Sequence, residues 1–182
     1  MASNVPLTLQ TMISYSTNPY FSIININGKS ISQQQTVNAA TPGYYWALVL
    51  SRTDLSVQAN FCFQANNVVP AQLNPYIAQP GQYILVLTTI GLSSANLPTG
   101  AFYDFLLQEG SAAELKKLEQ IYAAFNCGTW GRFGYSLVTV IDNSPGASFE
   151  FASITGWSMV STLLLAPIQI GSQTLYTPIA IR

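Results

Sequence analysis

Hydrophobic and polar residues alternate with a period of two along much of this chain, and the breaks in that pattern mark its organisation. Leu55, Val57, Ala59, Phe61 and Phe63 alternate with Ser56, Gln58, Asn60 and Cys62, the pattern of a half-buried strand. Tyr44–Ser51 precedes it across the polar turn Arg52-Thr53-Asp54, so the two predict a hairpin. Gln82–Ile90 is apolar without alternation, as expected of a strand covered on both faces. Arg132–Asp142 reads as another strand and Asn143–Gly146 as a turn, with Phe149, Phe151 and Ile154 continuing in β style. At the amino end, Val5, Leu7, Leu9, Met12, Tyr15 and Tyr20 alternate loosely and predict an extended arm or edge strand. Asn27-Gly28 is a two-residue hairpin signal joining Phe21–Ile26 to Lys29–Val37. Thr41-Pro42-Gly43 marks a break. The tail Trp157–Arg182 is apolar and β-rich, broken by Pro167, Gly171 and Pro178, and has no charge before Arg182.

One segment follows a different period. In Ala112–Phe125, residues Leu115, Leu118, Tyr122 and Phe125 recur at helical spacing with Ile121 on the flank, while Lys116, Lys117, Glu119 and Gln120 face away. Ser111 and Glu114 have the S-x-x-E spacing of a capping box, and Gly128 is placed to end the helix. Pro70 predicts a short helix over Val69–Ala78, ended by Pro80-Gly81. Gly91–Gly100 reads as a loop, and Ala101–Gln108 fits helix and extended chain equally.

These elements predict an α+β fold: a mixed β-sheet or sandwich with one clear amphipathic helix and β-rich terminal extensions. Three segments are expected: an arm and hairpin over 1–43, an α+β core over 44–142 and a β-rich extension over 143–182.

Composition narrows the chemistry. The chain has 182 residues and no histidine, with six basic and seven acidic residues. Charged residues make up 7% of it, against about 25% in ordinary soluble domains. Without His there is no Ser-His-Asp or Cys-His arrangement, and the commonest metal ligand is missing. No metal or cofactor is therefore expected. Asp54, Asp104, Glu109, Asp142 and Glu150 supply carboxylates, but no spacing pairs them for glycoside cleavage. The basic residues are scattered, which argues against nucleic acid. No apolar run reaches the roughly 20 residues of a membrane span, and the amino terminus lacks the pattern of a secretory signal. Cys62 and Cys127 read first as small buried hydrophobes, with a disulfide as the alternative.

The order of elements across Tyr44–Asp142 invites comparison. A hairpin (YYWALVLSRTDLSVQANFCF) leads through a short helix to a Gly-led buried strand (GQYILVLTTI). An amphipathic helix ending near Cys127-Gly128 and a final strand (RFGYSLVTVI) follow. This order resembles the interleukin-like EMT inducer (ILEI/PANDER-like) domain. The resemblance implies a compact β-sheet and helix fold, found in secreted eukaryotic proteins and also in bacterial and phage proteins. One such domain, in a glycosyltransferase stem, binds glycan. The resemblance carries over no binding residue.

Two roles from different classes remain. The first is a non-enzymatic structural subunit of a large assembly: a phage virion protein of the tail or capsid surface, assembled in the host cytoplasm. It would form homo-oligomers through its β-rich ends, with Leu163, Leu165, Ile168 and Ile170 as candidate contacts. The second is a glycan-binding module or adhesin. Trp46, Trp130 and Tyr135 would then stack on sugar rings while neighbouring amides bind hydroxyls.

Overall fold

The computed structural model describes residues 3–12, 20–35, 44–90, 92–125, 132–142, 148–153 and 159–181. Eleven strands and three α-helices run in the order β1 (Val5–Met12), β2 (Tyr20–Ile26), β3 (Lys29–Gln35), β4 (Tyr45–Ser51), β5 (Val57–Phe63), α1 (Asn74–Ile77), β6 (Tyr83–Thr89), β7 (Leu92–Ser93), α2 (Gly100–Gln108), α3 (Ala113–Phe125), β8 (Arg132–Val140), β9 (Phe149–Ser153), β10 (Met159–Ile170) and β11 (Gln173–Ala180). All strand pairs are antiparallel. The protein is mostly β, sandwich-like, with short helices.

The middle layer is the sheet β5-β4-β6-β8, with β7 and β9 also pairing to β8. Its inner strands β4, β6 and β8 are covered on both faces, while the edge strand β5 is largely exposed. On β4, Tyr45, Ala47 and Val49 join Phe102, Phe105 and Leu106 of α2 and Leu115 and Leu118 of α3 in one core. The intervening Trp46, Leu48 and Leu50 join Leu7, Leu9, Ile24, Leu163 and Leu165 in a second core. Two-sided burial is why β4 and β6 read as unbroken apolar runs.

The outer strand layer is a five-stranded sheet in the order β11-β10-β1-β2-β3. Strands from the two ends of the chain, β1–β3 and β10–β11, make this sheet, while β9 pairs with β8 of the middle sheet. The two ends meet where β1 pairs with β10, Val5 opposite Leu165 and Thr11 opposite Met159. The resulting sheet lies face to face on the segment 44–142. Burying Leu7, Leu9, Leu163 and Leu165 between the layers drives this arrangement.

Several local expectations change. Asn27 and Gly28 have φ of 51° and 81°, the positive pair a type I′ hairpin turn needs. The segment after Pro70 forms a 3₁₀ turn, Ala71–Leu73, and then α1. Gly100–Gln108 is helical, burying Phe102, Phe105 and Leu106. The capping box does not form. The Ser111 N–H donates to the Leu106 carbonyl, and the Glu114 carboxylate accepts from Lys117 Nζ at 2.6 Å. Leu115 and Leu118 are buried as the helical spacing predicts, with Lys116 and Lys117 exposed. The side chain of Phe125, the terminator Gly128 and the turn Asn143–Gly146 lie outside the described residues.

Candidate interaction surface

Two charged groups, half-buried Glu150 and buried Arg52, fasten the layers. The first is Glu150 on β9, which lies over the amino end of α3. Its carboxylate accepts the backbone N–H groups of Ala112 (3.2 Å), Glu114 (2.8 Å) and Leu115 (3.0 Å). It also accepts from the hydroxyls of Ser111 (2.5 Å) and Tyr135 (3.0 Å). A carboxylate among the unsatisfied amides of a helix start is favoured by both hydrogen bonding and the helix dipole. Burial opposes the charge. The hydrogen bonds from Ser111 and from the Glu114, Ala112 and Leu115 amides outweigh it and hold the Glu150 pKa below the usual carboxylate value. Burial, and then the Glu150 charge, push the Tyr135 hydroxyl well above its ordinary pKa.

The second is Arg52 in the β4–β5 turn. Its Nε donates to the Tyr176 carbonyl (2.8 Å), Nη1 to the Gly81 carbonyl (2.7 Å) and Nη2 to Thr177 Oγ1 (2.7 Å). In return the Tyr176 N–H donates to the Arg52 carbonyl at 2.7 Å. The guanidinium thus ties β11 of the outer sheet to the middle sheet. Burial lowers its pKa, and the charge of Asp142 partly restores it.

Two of the sequence-predicted glycan ligands, Trp46 and Tyr135, lie inside the protein. Trp46 is fully buried in the inter-sheet core, its Nε1 donating to Asn60 Oδ1 at 2.7 Å. Tyr135 is fully buried on the helix side, its hydroxyl spent on Ser111 and Glu150. Neither offers a ring face to a sugar. Trp130 and Cys127 lie outside the described residues. Cys62 is a free, half-buried thiol whose pKa burial pushes up to about 11.

The predicted self-association set divides. Leu163 and Leu165 are buried in the chain's own core beside β1. Ile168 and Ile170 are 38% and 48% exposed, where the β10–β11 hairpin runs past the end of β1.

The carboxylates weighed for catalysis do not converge either. Glu150 caps α3, and Glu109 Oε2 accepts the Asp142 N–H at 3.2 Å. Asp54 holds its own turn through the Ser56 hydroxyl and amide, which lower its pKa. Asp104 borders a groove of about 360 Å³ between α1 and α2, walled by Val69, Ile77 and Phe105.

Composition alone did not locate the uncharged solvent face of the outer sheet. Lys29 is the only charged residue in the five strands of the outer sheet. The solvent side of that sheet is built in rows across the strands. One row is Thr162, Thr8, Asn25 and Ser30; the next is Val160, Gln10, Ile23 and Ser32. Thr8 Oγ1 lies 3.4 Å from Thr162 Oγ1, and Asn25 Nδ2 donates to Ser30 Oγ at 3.0 Å. Val160, at 60% exposed, is the most exposed large hydrophobic residue among the described residues. A shallow depression of about 400 Å³ crosses these rows, lined by Pro6, Thr8, Gln10, Ile23, Asn25 and Ser30. Strand periodicity could have assigned these side chains to one face; only the pairing of β1 with β10 joins them into a surface. No protein-family model and no curated protein matches this chain.

Proposed function

We propose that this chain is a non-enzymatic structural subunit that associates with copies of itself in a large assembly, through its five-stranded outer sheet. The observation that carries this reading is the neutral solvent face of that sheet, with its rows of Thr, Asn, Gln and Ser broken by Val160 and Ile23. Charge keeps proteins apart in solution. A sheet face without it has nothing to repel an identical face, and its hydroxyls and amides both donate and accept. The carboxylates support the same reading, since Glu150, Glu109 and Asp54 are each engaged in holding backbone. The assembly we propose is the particle of a bacterial virus, at the tail or on the capsid surface.

Sedimentation of the full chain at micromolar concentration tests the association. Oligomers are expected, and a single species near 19.7 kDa overturns the reading. Replacing Thr8 and Thr162 together with lysine should weaken association while leaving the fold intact, because both side chains lie on the solvent face. Electron microscopy of the native source tests the particle.

A further inference from the structure

We propose that the outer edge of β3 pairs antiparallel with the same edge of a second copy of this chain, making one continuous sheet across the two molecules. The proposal rests on the self-association above and adds to its face contact a second one, at the edge of the same sheet.

A sheet edge presents unpaired backbone N–H and C=O groups, and proteins block such edges unless they use them. The opposite edge of the outer sheet is blocked. Ile170 and Gln173 close the β10–β11 hairpin, so Thr174, Tyr176, Pro178 and, at the strand end, Ala180 are the residues whose backbone points outward. Tyr176 is held at both its N–H and its carbonyl by Arg52, and Pro178 has no N–H. On the middle sheet, the Tyr76 hydroxyl donates to the Gln58 carbonyl on β5. The short strand β9 is held to α3 through Glu150.

β3 has none of these devices. Its turn makes Ile26 and Lys29 the hydrogen-bonded closing pair, so Ile31 and Gln33 face β2, and Ser30, Ser32 and Gln34 point their N–H and C=O outward. The Asn27 N–H, which donates to Pro6 of β1, fits the same alternation. Among the described residues, nothing hydrogen-bonds to those outward backbone groups. The strand has no proline, and its one charge is Lys29 at its start.

The sequence of β3 also selects the occupant. If a two-fold axis passes through Ser32, then Ser32 faces Ser32 of the other copy, and Ser30 faces Gln34. All three outward residues of each copy are then used, giving about six ladder hydrogen bonds; shifting the axis one residue either way leaves about four. In the centred register each Lys29 faces Gln35, at opposite ends of the ladder. The two ammonium groups are roughly 20 Å apart at about 3.4 Å per residue, beyond the screening length of about 8–10 Å. An identical strand therefore meets no like charge, and both neutral sheet faces lie on the same side.

The experiment compares the full chain with Ser32→Pro, Ser32→Lys and Ser32→Glu by analytical ultracentrifugation. Proline removes one outward N–H at the two-fold centre without touching the bonds to β2. Lysine or glutamate places like charges side by side there. Each variant alone is expected to associate at least tenfold more weakly than the unaltered chain. An equimolar mixture of Ser32→Lys and Ser32→Glu should recover association and lose it again in high salt. Amide exchange at Ser30, Ser32 and Gln34 should slow on association. If the unaltered chain associates and the three variants match it, the β3 edge is not the contact and self-association stands by another surface. If the unaltered chain is monomeric, the functional reading falls, and this proposal with it.

Discussion

The middle sheet is covered by helices on one face and by strands on the other, and the two covers treat water differently. The helix layer bears Asp104, Glu114, Lys116, Lys117 and Glu119 in α2 and α3, while Glu109, in the turn between them, is buried. The strand layer bears only Lys29. Inside, the two layers are alike: Leu118 and Phe102 are as buried on one side as Leu9 and Trp46 on the other. Burial of apolar surface holds both covers down, so stability does not require this asymmetry. A helix face written with charges is solvated; a sheet face written with Thr, Ser, Asn, Gln and Val is available for contact.

The most severe way to break the comparison is to remove part of the strand cover. Deleting 157–182 takes away β10 and β11, leaving β1 without one neighbour and the inner faces of Leu7, Leu9, Leu48 and Val86 uncovered. A self-contained 44–142 core would fold without this tail. The structure predicts the opposite: a truncated chain that unfolds cooperatively at much lower denaturant or aggregates. Circular dichroism and sizing check this, and a soluble truncation with native amide protection in β4 and β6 would show that the strand cover is dispensable.

Single truncations on the two faces should be nearly matched. Leu9→Ala and Leu118→Ala each remove a fully buried side chain and should cost about 2–5 kcal/mol. The sites sit in different cores, so the double variant should show additive losses. A loss below about half a kcal/mol at either site would mean that cover is not packed as described.

Much of this architecture was legible in the sequence, and what was not has a physical cause. The Asn27-Gly28 turn and the helical period of Leu115 and Leu118 are local signals, and both appear. The pairing of β1 with β10 joins residues as far apart as Thr8 and Thr162, and nothing local encodes it. The start of α3 was misread because Ser111 and Glu114 have capping-box spacing. Glu150, distant in sequence, fills the same amides with a full charge. Trp46 and Tyr135 are sugar-stacking candidates only under the glycan reading, and for Trp46 the unbroken run YYWALVL already carries the mark of a strand with no exposed face. The candidate surface went unseen for the same reason as the β1–β10 pair: its rows cross strands from both ends of the chain.

Glu150→Gln tests the fastening on the helix side. The amide keeps the shape but loses the charge and one acceptor for the Ala112, Glu114 and Leu115 amides. The expected loss is about 1.5–3 kcal/mol, the range for hydrogen bonds to a charged group. The pH dependence has a definite sign. The folded pKa of Glu150 lies below its unfolded value, so its contribution is complete above the unfolded carboxylate value. It is lost as pH falls through the folded one. Urea midpoints measured from pH 7 downward should therefore fall more steeply for the unaltered chain than for Glu150→Gln. Parallel curves would mean another group governs acid stability.

The smallest expected effect separates charge that solvates from charge that would interfere. Lys117 Nζ lies 2.6 Å from Glu114 Oε1, an i,i+3 pair on the outer side of α3 with the lysine side chain 54% exposed. Water screens such a pair, and ordering the side chains offsets part of the attraction, so Lys117→Gln should change stability by about 0.2–0.5 kcal/mol. It should leave self-association unchanged, because the proposed contact lies on the outer sheet and not on the helix layer. Thr8→Lys is the counterpart on the other cover. Its side chain is also on a solvent face, so the stability change should be similarly small. Its effect on association should be the larger of the two, since it puts a charge where the sheet has none. Measuring both quantities for both variants gives a two-by-two comparison. If Lys117→Gln lowers association as much as Thr8→Lys does, the contrast between the two covers has no functional meaning.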